Sequence, residues 1–123
     1  MDWFLFVFVG ATMLALLALR FRGSIGLEAA AAHVRAGAKI IDVRSPDEFR
    51  EGHVPGALNV PLGDLEGGIE RVAPRREEVL LVHCLSGGRS GLARARLRRM
   101  GYRHVFNLGS LGRAQALARQ LGR

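Results

Sequence analysis

One cysteine stands in this chain of 123 residues, and its neighbours are of the kind that ionise a thiol. Cys84 follows the apolar run Val79-Leu80-Leu81-Val82-His83 and precedes Leu85-Ser86-Gly87-Gly88-Arg89-Ser90. A run of this length, bounded by glycine, reads as a buried parallel strand, and such sheets carry reactive groups at the carboxyl ends of their strands. The glycines let the backbone curl around the sulfur with its N–H groups inward, and the helix expected next adds roughly half a positive charge at its N-terminus. Both favour the thiolate, the nucleophilic form. A free cysteine is more often a small buried hydrophobe, but Gly87, Gly88 and Arg89 have no packing value around a core cysteine. Arg89 in the first helical turn opposes the dipole, at a cost of about a few tenths of a kcal/mol unless an anion or carboxylate compensates it. The plainer alternative is a solvated side chain.

The rest of the chain reads as the scaffold that positions this edge. Leu27, Ala30, Ala31 and Val34 recur at helical spacing up to Gly37, and Lys39 to Val43 is an apolar strand with Asp42 and Arg44 at its carboxyl end. Ser45-Pro46-Asp47-Glu48 is a capping box with proline in the first helical position, so a short helix starts there and breaks by Gly52. The loop Gly52 to Gly56 leads to a short strand, Ala57 to Val60, and a helix around Leu65 to Val72 ends before Pro74. Beyond the cysteine loop, Ala93, Leu97 and Met100 form a packed helix face that stops at Gly101. His104 to Asn107 is a last strand, and Ala114, Leu117, Ala118 and Leu121 mark a terminal helix. Strands alternating with helices imply an α/β fold, a mainly parallel sheet covered on both faces, whose right-handed crossovers align Asp42, Arg44 and Cys84.

These residues carry a resemblance. His83-Cys84-Leu85-Ser86-Gly87-Gly88-Arg89-Ser90, with Asp42-Val43-Arg44, Asp47-Glu48-Phe49 and Gly52-His53-Val54-Pro55-Gly56-Ala57-Leu58-Asn59-Val60-Pro61 upstream, resembles the single-domain rhodanese sulfurtransferases from about Ile25 to Leu117. The resemblance implies that Cys84 carries a persulfide and that Leu85, Ser86, Gly87, Gly88, Arg89 and Ser90 form its loop. It implies a small anionic sulfur donor, a thiol or sulfur-carrier acceptor, and no cofactor. Where the family often has paired glycines and an aromatic, this chain reads Asn107-Leu108-Gly109-Ser110-Leu111-Gly112-Arg113.

Composition supports one compact domain, residues 23–123, preceded by an apolar segment within residues 1–22. Trp3 to Leu19 holds no charge and is followed by Arg20-Phe21-Arg22. As a helix rising about 1.5 Å per residue it spans about 25 Å, a tight fit to a hydrocarbon layer of about 30 Å. An uncleaved transmembrane anchor is expected over a signal peptide, because no basic residue precedes the run and small-residue cleavage spacing is missing. The arginines after it place the domain on the cytoplasmic side of an inner membrane, with a periplasmic location as the alternative. A net charge of +7 suits an anionic substrate or membrane surface. Nucleic acid is not expected, since no aromatic residues interleave with the arginines and no zinc spacing occurs.

The expected chemistry has two halves: thiolate attack on a sulfane sulfur, then transfer of that sulfur to a nucleophile. Loop N–H groups would stabilise the charged sulfur, and Arg89 would steer an anionic donor. Phosphatase chemistry is the competitor within related folds, but four residues separate Cys84 from Arg89 here, where those phosphatases have five. That smaller ring suits one sulfur atom better than a phosphoryl group. A non-catalytic rhodanese-like binding module is the other alternative. Asp42 and Arg44 either shape the pocket or tie the strand end to a loop. His53 reads as a loop-fixing partner, and His83, adjacent to Cys84 on a strand, points to the opposite face. His33 and His104 have no visible partners, and no metal site is expected. The arginines at 94, 96, 98, 99 and 103 read as a solvated helix face.

Overall fold

Four short runs become four strands because each is too short to be a helix, and a parallel sheet needs a crossover between successive strands. In the computed structural model, which describes residues 2–21 and 23–123 and only the backbone of 19–21, the strands are β1 (Lys39–Asp42), β2 (Leu58–Asn59), β3 (Val79–His83) and β4 (His104–Gly109). The helices are α1 (Trp3–Phe21), α2 (Leu27–Arg35), α3 (Pro46–Glu51), α4 (Leu65–Val72), α5 (Gly88–Arg99) and α6 (Leu111–Gln120). A 3-10 turn, Leu62–Asp64, leads into α4. The strand order is β2-β1-β3-β4 and every pairing is parallel.

Alternation along the strands divides the core into two layers. Leu80, Val82 and Cys84 pack with Leu65, Ile69, Ala93, Leu97 and Tyr102 on one face. Leu81 packs with Ala30, Ala31, Val54, Leu108, Leu117 and Ala118 on the other. The sheet is thus covered on both sides, as its apolar strands require.

Local signals placed the elements well. Ser45 accepts from the Glu48 N–H while Glu48 accepts from the Ser45 N–H, both at 3.2 Å, so the capping box forms in full. The strands differ at their ends: β1 stops at Asp42 instead of Val43, β2 shrinks from Ala57–Val60 to Leu58–Asn59, and β4 runs on to Gly109 instead of stopping at Asn107. The pairing of β4 with β3 skips a residue, Val82 facing Asn107 and His83 facing Gly109. Gly109 supports this irregularity with φ of 99°. The skip lies directly beside the cysteine.

The N-terminal expectation needs correction. Trp3–Phe21 is one helix with exposed Trp3, Phe4, Phe6 and Phe8, but no helix of the described residues is long and apolar enough to cross a membrane. The transmembrane anchor is therefore unsupported. The uncharged stretch Trp3 to Leu19 covers about 25 Å against a hydrocarbon layer of about 30 Å. Arg22 and the side chains of Arg20 and Phe21, which carried the orientation argument, lie outside the described residues. The joint after α1 is tied down, because Asn107 donates its N–H to Gly23 O at 2.9 Å and Ser24 bridges to Asn107 in parallel register.

Candidate active site

Cys84 leaves β3 at the register skip, and its N–H donates to Gly109 O at 3.0 Å. The chain then turns through Gly87, whose φ of 98° lies in the left-handed region, and enters α5 at Gly88. This turn aims the Gly87 N–H at the sulfur, with N to Sγ at 3.0 Å. Ser90 Oγ stands 3.5 Å from Sγ on another side. Gly88 needs no special conformation, and a Cβ there would meet no atom within 4 Å. Of the two glycines, only Gly87 is required by the backbone.

Burial pushes the pKa of the Cys84 thiol up, but the Ser90 hydroxyl and the N–H groups of Ser90, Gly87 and Ser86 outweigh it, so the thiol ionises more readily than an ordinary cysteine. The loop groups that touch the sulfur are those of Ser86, Gly87 and Ser90. Leu85 serves differently: its carbonyl accepts from Leu111 N–H at 3.1 Å and its side chain is exposed. Ser86 bridges to Ser110, which sews the loop rim onto the start of α6. Cys84 itself is fully buried.

One buried residue behind the sulfur, Asn107, was not singled out in the sequence. Asn107 Oδ1 accepts from Ser90 Oγ at 2.7 Å, and Asn107 Nδ2 donates to Gly87 O at 3.3 Å. One amide thus holds both groups that touch Sγ. An asparagine inside the apolar run Val105-Phe106-Asn107-Leu108 was the available signal, since buried polar residues are placed for a partner.

Arg89 is the clearest departure. On a side chain that stays 38% exposed, its Nη1 and Nη2 donate to Glu48 Oε1 at 2.6 Å and Oε2 at 3.0 Å. These hydrogen bonds hold the Glu48 carboxyl down to about 2, against the opposing effect of burial, with Ser45 adding to them. The carboxylate that compensates Arg89 against the α5 dipole was already present in the capping box, but there it had been read only as a helix start.

Asp42 and Arg44 also pair with each other, Arg44 Nε and Nη2 reaching the two carboxylate oxygens at 3.0 and 2.8 Å. Arg44 Nη2 donates further to Gly52 O at 2.7 Å, and Asn59 Nδ2 donates to the carbonyls of Asp42 and Arg44. The pair ties the β1 end to the following loop and to β2. His83 sits beside it, in register with Asp42. Its Nδ1 faces Cys84 O at 3.2 Å, and because a carbonyl only accepts, Nδ1 carries the proton. Nε2 is left without a hydrogen-bond partner, 3.6 Å from Asp42 Oδ2. Burial keeps this histidine neutral, against the pull of Asp42.

The remaining histidines are peripheral. His53 Nδ1 donates to Phe49 O at 2.8 Å and its ring stacks on Phe49, fixing the end of α3. His33 stacks on Phe106, and no His, Cys, Asp and Glu cluster among the described residues could hold a metal. Arg94 and Arg96 are committed to Val105 O and Glu66, whereas Arg98, Arg99 and Arg103 are exposed. Beside the loop, Ser86, Gly87, Asn107, Ser110 and Arg113 line a cavity of about 380 Å³.

Comparison with known proteins agrees with this geometry. The family described as the rhodanese-like domain matches residues 27–111. Thiosulfate sulfurtransferase PspE of Escherichia coli (strain K12) is 41% identical over 71 residues, 58% of this chain and 68% of PspE. A solved structure described as a rhodanese with anions from E. coli is 38% identical with a TM-score of 0.60, covering 63% of this chain and 91% of its own. The human single-domain sulfurtransferase TSTD1 is 28% identical with a TM-score of 0.62, covering 73% of this chain and 89% of TSTD1. Carrying its cysteine loop at the end of a parallel strand within the matched residues, this chain belongs to the rhodanese-like domain family.

Proposed function

We propose that the chain is a sulfurtransferase that moves a sulfane sulfur from thiosulfate or another persulfide donor to a nucleophilic acceptor through a Cys84 persulfide. The observation that carries this reading is the pair of polar groups on one sulfur, the Gly87 N–H donating at 3.0 Å and Ser90 Oγ in hydrogen-bond contact at 3.5 Å. A core cysteine has no use for them. In the first half-reaction the Cys84 thiolate attacks the outer sulfur of thiosulfate, the S–S bond of the donor breaks and sulfite leaves with its electron pair. In the second, an acceptor such as a thiol or a sulfur carrier attacks the outer sulfur and the Cys84 thiolate departs. Negative charge returns to Sγ there, where the loop donors stabilise it without reorganising.

Within the loop Leu85 to Ser90, Ser86, Gly87 and Ser90 hold the sulfur in this reading, Asp42 and Arg44 keep the neighbouring strand end in place, and residues 23–123 form the domain that carries the reaction. Incubation of the protein with thiosulfate should add the mass of one sulfur atom, and Cys84→Ser should abolish the gain. If no sulfane donor adds sulfur, the reading is wrong. A non-catalytic binding module is then favoured, and the full burial of Cys84 is the observation on its side. A cysteine phosphatase is disfavoured by Arg89, whose guanidinium is spent on Glu48 and not turned to a phosphoryl site.

For location we propose the inner membrane with the domain facing the cytoplasm, the periplasm being the alternative. Support comes from the sequence of residues 3–22 and the exposed aromatics of α1. Protease accessibility in intact cells and in inverted vesicles tests both attachment and side.

A further inference from the structure

Two arginines near the cradle, Arg44 and Arg89, are each answered by a carboxylate, whereas Arg113, in the cavity beside the loop, donates to the carbonyls of Leu108 and Ile25. Arg44 is bound through two carboxylate oxygens of Asp42, and Arg89 through two of Glu48. Before Cys84 ionises, these four groups sum to zero. A dianion approaching Arg89 meets a guanidinium whose charge is already answered, and the carboxylate answering it repels that dianion. A donor with one negative charge loses less to that repulsion.

We propose that Glu48 sets the charge of the sulfur donor, neutralising Arg89 so that singly charged sulfane donors, such as alkyl thiosulfonates, are favoured over doubly charged thiosulfate. This rests on the sulfurtransferase reading and names its substrate class. Glu48 acts through Arg89 and is a positioning residue. It is well anchored for that task, because the capping box holds it through Ser45 while its two oxygens face the guanidinium. It stays ionised at any working pH, since its carboxyl is held down to about 2.

Two donors with the same reacting bond separate charge from chemistry. Thiosulfate carries two negative charges and methanethiosulfonate one; both deliver an outer sulfur, leaving sulfite and methanesulfinate. With cyanide as common acceptor, thiocyanate formation gives kcat/KM for each. Glu48→Gln keeps the size of the side chain and a hydrogen bond to Arg89 but removes the charge. The ratio of kcat/KM for thiosulfate over methanethiosulfonate should rise about fivefold, through KM, the size expected for one part-exposed charge pair. Ser45→Ala disturbs the same helix start without touching the charge, and its ratio should equal that of the unaltered protein. In the double variant Glu48→Gln with Arg89→Gln the ratio should return to the original value. If the single variant leaves the ratio unmoved, or the double variant falls well below the original, Glu48 does not select by charge. If the unaltered protein transfers sulfur from neither donor, the sulfurtransferase reading itself fails.

Discussion

Ser90→Ala tests the cradle most directly, because it removes one oxygen and nothing of the backbone. The hydroxyl has one proton and several acceptors around it: Asn107 Oδ1 at 2.7 Å, Gly87 O at 3.1 Å and Sγ at 3.5 Å. When Cys84 is a thiolate, the proton turned towards sulfur makes a charge-assisted hydrogen bond, worth about 1.5–3 kcal/mol at good geometry. At 3.5 Å the lower end applies, and about 1.4 kcal/mol is a tenfold change in the ionisation constant. The Gly87 N–H at 3.0 Å remains, so the thiolate is weakened and not lost. The same change leaves Asn107 Oδ1 buried without its donor, at a cost of about 1–3 kcal/mol of folding stability. Alkylation by iodoacetamide, followed across pH, reads the thiolate fraction; thermal unfolding reads stability. The expected result is about a tenfold slower alkylation below the midpoint, with a lower Tm. A lower Tm with an unshifted alkylation profile would refute the reasoning, since it would make Ser90 a packing residue that only happens to lie near the sulfur.

The glycines should part company: Gly87→Ala forces a side chain into the left-handed region at about 1–2 kcal/mol and impairs sulfur loading, whereas Gly88→Ala leaves unfolding and loading essentially unchanged. Thermal melts with mass analysis of the loaded protein distinguish them. Stability should fall in acid through two groups, which chemical denaturation over a pH series would resolve. His83, depressed from 6.5, makes the unfolded chain bind more protons below that value, so its contribution is lost as pH drops beneath 6.5; Glu48, lowered from 4.5 to about 2, keeps its contribution above 4.5 and loses it between those values. A flat profile from pH 7 to 5 would contradict the neutral, buried His83. Leu97→Ala, at a fully buried site of the α5 face, should cost about 2–5 kcal/mol in denaturant while the folded fraction still takes up sulfur through Cys84.

Much of the scaffold was legible before any coordinates because it depends on near neighbours in the chain. Strand β3 and helix α4 occupy the stretches their apolar spacing predicts, and Ser45 with Glu48 closes the capping box three residues apart. Cys84 stood out for the same reason, since a strand, a left-handed glycine and a helix start are all local features. The N-terminal run was harder, because apolar composition alone measures neither the length of an apolar face nor what covers it.

Arg89 was read as a steering charge because its partner lies 41 residues away in sequence. Asn107 passed as one more strand residue, although it holds Ser90 and Gly87 from 17 and 20 residues off. Such pairings follow from the strand order β2-β1-β3-β4, which brings the start of α3 and the end of β4 to the cysteine loop. The sequence by itself determined where the cysteine stands, the elements that carry it and the family they form. Only the tertiary structure decided which charges answer one another and which amide holds the loop, because those contacts exist once the strands are packed side by side and in no shorter stretch of chain.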